Sequence, residues 1–76
     1  MIQSLLEHII ASLVDQPSLV TITQKQDGNR LHFSVKVGEQ DLGRVIGKDG
    51  QTIRAIRTLA LSLTPEGQET LVEVSK

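Results

Sequence analysis

The spacing of the apolar residues switches from a helical repeat to a two-residue repeat and back, which limits the folds open to this chain. At the N-terminus the apolar residues follow the i, i+3, i+4, i+7 spacing that places side chains on one helix face. They are Ile2, Leu5, Leu6, Ile9, Ile10, Leu13 and Val14. Residues 15–18 end this predicted helix, because the ring of Pro17 cannot continue it.

Two strands are predicted next. Residues 19–26 alternate apolar and polar side chains and are rich in Val, Ile and Thr, and residues 31–37 alternate in the same way. Asp27, Gly28 and Asn29, which separate the two strands, are residue types that favour a tight turn. We therefore predict an antiparallel hairpin.

The second half of the chain predicts two helices, at 40–46 and 51–64, and a last strand at 69–74. Their buried faces consist of Leu42, Val45, Ile46, Ile53, Ile56, Ala60, Leu63, Val72 and Val74. The order helix, strand, strand, helix, helix, strand predicts an α+β fold. Three helices then bury their apolar sides on one face of a three-stranded sheet.

Length and composition predict one soluble domain, residues 1–76. A chain of 76 residues encloses a single hydrophobic core. Without cysteine it has no disulfide framework and no thiolate metal site. No basic signal region begins the chain and no apolar run approaches membrane-spanning length, so we expect a cytoplasmic protein with no membrane partner.

Positive charge is concentrated in one segment. Eight Lys and Arg against nine Asp and Glu give a net charge of −1. Residues 43–57 carry Arg44, Lys48, Arg54 and Arg57 against Asp49 alone, a local charge of +3. A basic patch on a mildly acidic body favours weak, localised nucleic-acid binding.

Gly47 and Gly50 lie three residues apart between the second and third predicted helices. Glycine permits a tight turn and lets a ligand approach the backbone closely. The helix that follows directs free N–H groups and its positive dipole end at the loop, which favours an anion. Lys48 adds a positive charge. Asp49 weakens phosphate binding if it faces the phosphates, and has little effect if it faces solvent or caps the helix.

Apolar side chains beside the loop suit the splayed bases of single-stranded RNA. Val45, Ile46 and Ile53 form this wall or belong to the core. Arg54 lies one turn from the loop and Arg57 one turn further, where an ordinary solvated helix face is the alternative. The residues predicted to contact RNA are Arg44, Val45, Ile46, Gly47, Lys48, Asp49, Gly50, Ile53, Arg54 and Arg57.

The run Val-Ile-Gly-x-x-Gly-x-x-Ile-x-x-Ile at 45–56 resembles the signature of KH domains. The element order is similar to the type II arrangement, whose sheet is mixed, and the whole chain resembles the KhpA family of small free-standing bacterial KH proteins. The resemblance implies a four-nucleotide groove with phosphates at residues 47–50. It also implies self-association, a role as an RNA chaperone or regulator, and pairing with a larger KH protein (KhpB, EloR or Jag) in cell elongation and division.

Other site types do not fit the sequence. A nucleotide-binding P-loop needs four residues between its first glycine and Gly-Lys, whereas three separate Gly43 from Gly47. His8 and His32 have no second ligand at metal spacing, and no serine has a suitable partner. We expect no catalysis, cofactor or metal. The alternative to RNA binding is an adaptor that uses the fold mainly for protein pairing.

Leu59 and Leu61 lie outside the buried stripe of the helix at 51–64. The small side chains of Ala55 and Ser62 leave room for a second helix around Leu59. Together with the family resemblance, this pattern predicts a homodimer whose interface contains Ala55, Leu59 and Ser62. The same surface is expected to receive the larger KH partner.

Overall fold

The computed structural model describes residues 2–76 and confirms the predicted order of elements. Three helices and three strands follow one another in the order α1, β1, β2, α2, α3 and β3. They are α1 Ile2–Leu13, β1 Thr21–Asp27, β2 Arg30–Lys36, α2 Leu42–Ile46, α3 Gln51–Ser62 and β3 Glu69–Ser75. Short 3₁₀ turns at Pro17–Leu19, Glu39–Asp41 and Lys48–Gly50 precede β1, α2 and α3. No helix in this part of the chain has the length and apolar character needed to cross a membrane.

The sheet is mixed, as the resemblance to the type II KH arrangement implies. β2 lies in the centre, with β1 antiparallel on one side and β3 parallel on the other. The register places Phe33 beside Val72 and Val35 beside Val74. Phe33, Val35 and Val72 are buried, whereas Ser34, which points to the other face, is exposed. The helices therefore cover one face of the sheet and leave the other open.

One apolar core lies between this covered face and the helices. Each helix contributes side chains at the predicted helical spacing, and each strand contributes alternate residues. The buried core residues are Ile2, Leu6, Ile10, Phe33, Val35, Val37, Val45, Ile53, Ile56, Ala60 and Val72.

The predicted start of the first strand at Leu19 is wrong. Leu19 ends a 3₁₀ turn, in which its N–H donates to the Gln16 carbonyl at 3.0 Å, and the N–H of Val20 donates to Pro17 at 3.1 Å. Pro17 at the first position favours this turn, because its fixed φ suits a helical start and it has no N–H to satisfy. The second helix likewise begins at Leu42 and not at residue 40, after the turn Glu39–Asp41.

Asp41 ties the end of α1 to the start of α2. Its carboxylate is 1% exposed and accepts the backbone N–H of Asp15 on Oδ1 and of Gln16 on Oδ2, each at 3.0 Å. Arg44 lies one turn along, with its Nε 3.9 Å from the same Oδ1. A buried carboxylate needs such donors, because leaving it unpaired costs its full desolvation energy.

We expect Asp41→Asn to lower the free energy of unfolding by about 1–3 kcal/mol, because the amide has one acceptor oxygen and its NH₂ group faces a backbone donor. Urea unfolding followed by circular dichroism measures the change. Asp15→Asn is the matched control: it keeps its backbone N–H and loses only an exposed ion pair, worth less than about 1 kcal/mol. Equal losses in the two variants would contradict the role given to Asp41.

Candidate functional site

The glycine loop (residues 47–50) connects α2 to α3 through three residues with positive φ. Gly47 has φ 78° and ψ 170°, Asp49 has φ 55° and ψ 25°, and Gly50 has φ 73° and ψ 16°. The N–H of Gly47 donates to the Gly43 carbonyl at 2.8 Å, and the N–H of Gly50 donates to the Gly47 carbonyl at 3.1 Å. These bonds hold the loop in one compact turn at the N-terminus of α3.

Position 47 requires glycine for two reasons: its φ is positive, and a side chain would not fit beside Thr52. A Cβ at this position would collide with the Thr52 hydroxyl and would lie 2.7 Å from the Thr52 Cβ and 2.9 Å from its backbone nitrogen. Gly50 differs, because a Cβ there would meet nothing within 4 Å and only the positive φ favours glycine. The close contact between Gly47 and Thr52 thus sets the angle at which α3 leaves the loop.

The left-handed backbone conformation at residue 49 explains why an aspartate is suited to this position. Aspartate is one of the few residues with a side chain that adopts this conformation readily. Its side chain is exposed and does not cap α3: Gly50 occupies the N-cap, and no side chain bonds to the helix end. The N–H of Gln51 donates to the Lys48 carbonyl, and no side chain accepts from the first N–H groups of α3.

Two of the predicted cations lie at the loop with their charges unpaired. Lys48 is exposed within it, and Arg54 donates from Nη2 to the Asp49 carbonyl at 3.3 Å. Neither forms an ion pair with any carboxylate among residues 2–76. Arg44 is different. Its Nη2 lies 2.9 Å from Asp15 Oδ2, so the structure directs its charge towards α1 and not towards the loop.

The predicted apolar wall is smaller than the sequence suggested. Val45 is fully buried and Ile53 is 8% exposed, so both serve mainly the core. Ile46, at the end of α2, is half-buried and is the one of the three with substantial accessible surface. The site beside the loop consequently depends on backbone and charge more than on apolar contact.

Arg57 faces β3 and not the loop. Its Nε donates to the Val72 carbonyl at 3.1 Å, on the free edge of β3. A hollow of about 360 Å³ opens at this point, which we call the α3–β3 hollow. It is lined by Arg57, Leu61, Thr70, Leu71, Val72 and Glu73. Sequence reasoning predicted the last strand but not the contact of Arg57 with it.

The residues predicted to form a dimer interface are all exposed on α3. Leu59 is 48% exposed, and Ala55 and Ser62 flank it. The hydroxyl of Ser62 donates to the Leu59 carbonyl at 2.7 Å, so it does not require a partner from another chain. The structure thus leaves an apolar side chain between two small neighbours on one side of the helix.

The chain is similar in sequence to known proteins. The family model described as the KH domain of KhpA and KhpB matches residues 3–74. A protein of Halalkalibacterium halodurans named RNA-binding protein KhpA is 42% identical over 57 residues, which cover 75% of each chain. The protein of the same name from Chlamydia pneumoniae is 43% identical over 58 residues, covering 76% of this chain and 74% of its own.

A third relative extends the similarity to almost the full length. The RNA-binding protein KhpA of Leifsonia xyli is 36% identical over 74 residues, which cover 97% of this chain and 96% of its own. No solved structure matches the chain significantly. The family model and these relatives agree with the fold: the chain belongs to the KhpA/KhpB family of KH domains.

Proposed function

We propose that this protein binds single-stranded RNA, with a phosphate of the strand held at the glycine loop. One observation carries the proposal. At the loop, backbone without side chains, the uncapped N-terminus of α3 and the unpaired charges of Lys48 and Arg54 lie together. Backbone N–H groups, a helix dipole and a cation together form an anion site. The names of the relatives, each an RNA-binding protein, agree with it.

The shape of the site favours a short single strand over a duplex. A glycine loop of this kind clamps about four nucleotides of backbone. Phe33, the one aromatic residue of the sequence, is 1% exposed in the core. No aromatic platform is therefore available for base stacking. Affinity must come from few phosphates and small contacts, and we expect a dissociation constant in roughly the micromolar range or weaker.

We further propose that the protein acts without catalysis, as a cytoplasmic RNA chaperone or regulator. The match to a family model that covers both KhpA and KhpB supports a relationship with the larger KH protein KhpB, also called EloR or Jag. The role in cell elongation and division rests on the family resemblance. A homodimer, or a heterodimer with that larger protein, is the proposed assembly.

A second candidate function is that of an adaptor in which protein pairing is the main role. The exposed Leu59 favours it, because a solvated helix does not require this much apolar surface beyond its core face. The pairing of Arg44 with Asp15 favours it too, since that ion pair removes one cation from the RNA site. RNA titration separates this candidate from the first.

We expect Lys48→Asp to abolish measurable RNA binding while the fold is kept. The variant places two adjacent acids at the N-terminus of α3, where they repel phosphate. Lys48 is exposed and unpaired, so the circular dichroism melt should not change. Fluorescence anisotropy with a short single-stranded RNA, at one fixed salt concentration, measures the affinity.

Two further variants sharpen this comparison. Lys25→Glu makes the same charge change on the open face of the sheet, and RNA affinity should stay close to that of the unmodified protein. Asp49→Asn keeps a residue suited to the left-handed conformation and removes a negative charge, so affinity should rise. Unchanged RNA affinity in a folded Lys48→Asp variant would rule out the loop as the phosphate site.

We expect Leu59→Asp to convert a homodimer into a folded monomer, because a charge buried between two packed helices is strongly unfavourable. Sedimentation equilibrium should give twice the chain mass of 8.3 kDa for the unmodified protein and one chain mass for the variant. Leu61→Asp is the matched control, since Leu61 lies roughly opposite Leu59 around α3. A variant that still dimerises, or an unmodified protein that is already monomeric, would refute this interface.

A further inference from the structure

We propose that Asp15 limits the affinity for RNA by competing with phosphate for the guanidinium of Arg44, and that a bound strand displaces Asp15 from it. This inference rests on the proposed RNA-binding function and adds a residue that regulates the same site. Arg44 lies in the last turn of α2, which ends at the glycine loop. It precedes Gly47 by three residues, a helical rise of roughly 4.5 Å, so its long side chain reaches the loop.

The carboxylate of Asp15 occupies the two N–H groups with which Arg44 would bind a phosphate. Arg44 donates from Nη1 to Oδ1 at 3.3 Å, and its Nη2 lies 2.9 Å from Oδ2. A guanidinium binds a phosphate through two parallel N–H donors in the same way. Carboxylate and phosphate therefore compete for one pair of donors, and the two cannot hold these donors at the same time.

Asp41 fixes the position of Asp15 beside α2. The buried carboxylate of Asp41 accepts the backbone N–H groups of Asp15 and Gln16, which holds the segment after α1 against the start of α2. Asp41 does not depend on Arg44, because the Nε of Arg44 lies 3.9 Å from it, beyond hydrogen-bond distance. Movement of Arg44 away from Asp15 thus leaves no buried carboxylate without donors.

The pair between Arg44 and Asp15 is exposed enough to exchange its partners. The side chain of Arg44 is 57% exposed and that of Asp15 is 69% exposed. Water screens an ion pair of this kind, so the pair holds its partners weakly. A strand held at the loop brings phosphates close to Arg44, and each phosphate offers the same kind of charge-assisted contact. Asp15 consequently weakens RNA binding by a small factor and does not abolish it.

A double-mutant cycle, measured by fluorescence anisotropy with a short single-stranded oligouridine, tests this competition. We expect Asp15→Asn to bind RNA about two- to fivefold more tightly, the factor that corresponds to an exposed ion pair. Arg44→Gln should bind more weakly than the unmodified protein, and combining it with Asp15→Asn should restore no affinity. The log–log salt slope of Arg44→Gln should be shallower by about 0.7, the contribution of one phosphate contact on a single strand.

Two controls separate this competition from a general effect of charge. Glu39→Gln removes the same charge from another exposed ion pair, that with Lys76, and RNA affinity should change by less than about twofold because salt screens distant charges. The second control needs no variant. In isotope-labelled protein the guanidinium signals of Arg44 should shift when RNA is added, whereas those of Arg30, which pairs with Glu69 on the open face of the sheet, should not.

The contrary results differ in what they overturn. Unchanged RNA affinity in a folded Asp15→Asn variant, or guanidinium signals of Arg44 that stay in place, would overturn the inference and leave the proposed RNA-binding function standing. An equal gain from Asp15→Asn in the Arg44→Gln background would also overturn it, because Asp15 would then repel RNA directly. Failure of the unmodified protein and of every variant to bind RNA would overturn the proposed function and this inference together.

Discussion

The backbone of Gly47 passes so close to Thr52 that no side chain fits between them, and the arrangement of the candidate site depends on this contact. Because residue 47 lacks a Cβ, the chain turns sharply after α2, and α3 starts four residues later with no side-chain cap at its N-terminus. A larger residue would have to push α3 away, and with it the position of Lys48 and Arg54. The site is therefore a consequence of backbone geometry, to which the side chains add charge.

The charges near the loop acquire different roles through their neighbours. Arg44, Lys48, Arg54 and Arg57 are equivalent cations by sequence, yet Arg44 pairs with Asp15 and Arg57 bonds to the edge of β3. Only Lys48 and Arg54 remain at the loop. This division is consistent with weak phosphate binding at the N-terminal end of α3, because only two unpaired cations remain there.

The order of elements, the core faces and the position of the loop were predictable, because each depends on local spacing or on a residue type such as glycine. The pairing of Arg44 with Asp15 and of Arg57 with Val72 was not, since these residues come together only when α1 and β3 pack against the neighbouring helices. The prediction that the first strand starts at Leu19 was wrong for a related reason. The hydrogen bonds of the turn at Pro17–Leu19 outweigh the alternating pattern. Val45 was ambiguous by sequence, and its burial is decided by tertiary packing.

The central claim, that RNA is held at the glycine loop, is tested most directly by amide chemical shifts of isotope-labelled protein during titration with a short single-stranded RNA. The account predicts the largest shifts at Gly47, Lys48, Asp49 and Gly50 and in the first turn of α3, where no side chain caps the helix. Largest shifts on the open face of the sheet, at residues such as Ser34, would contradict it and place RNA binding on another surface.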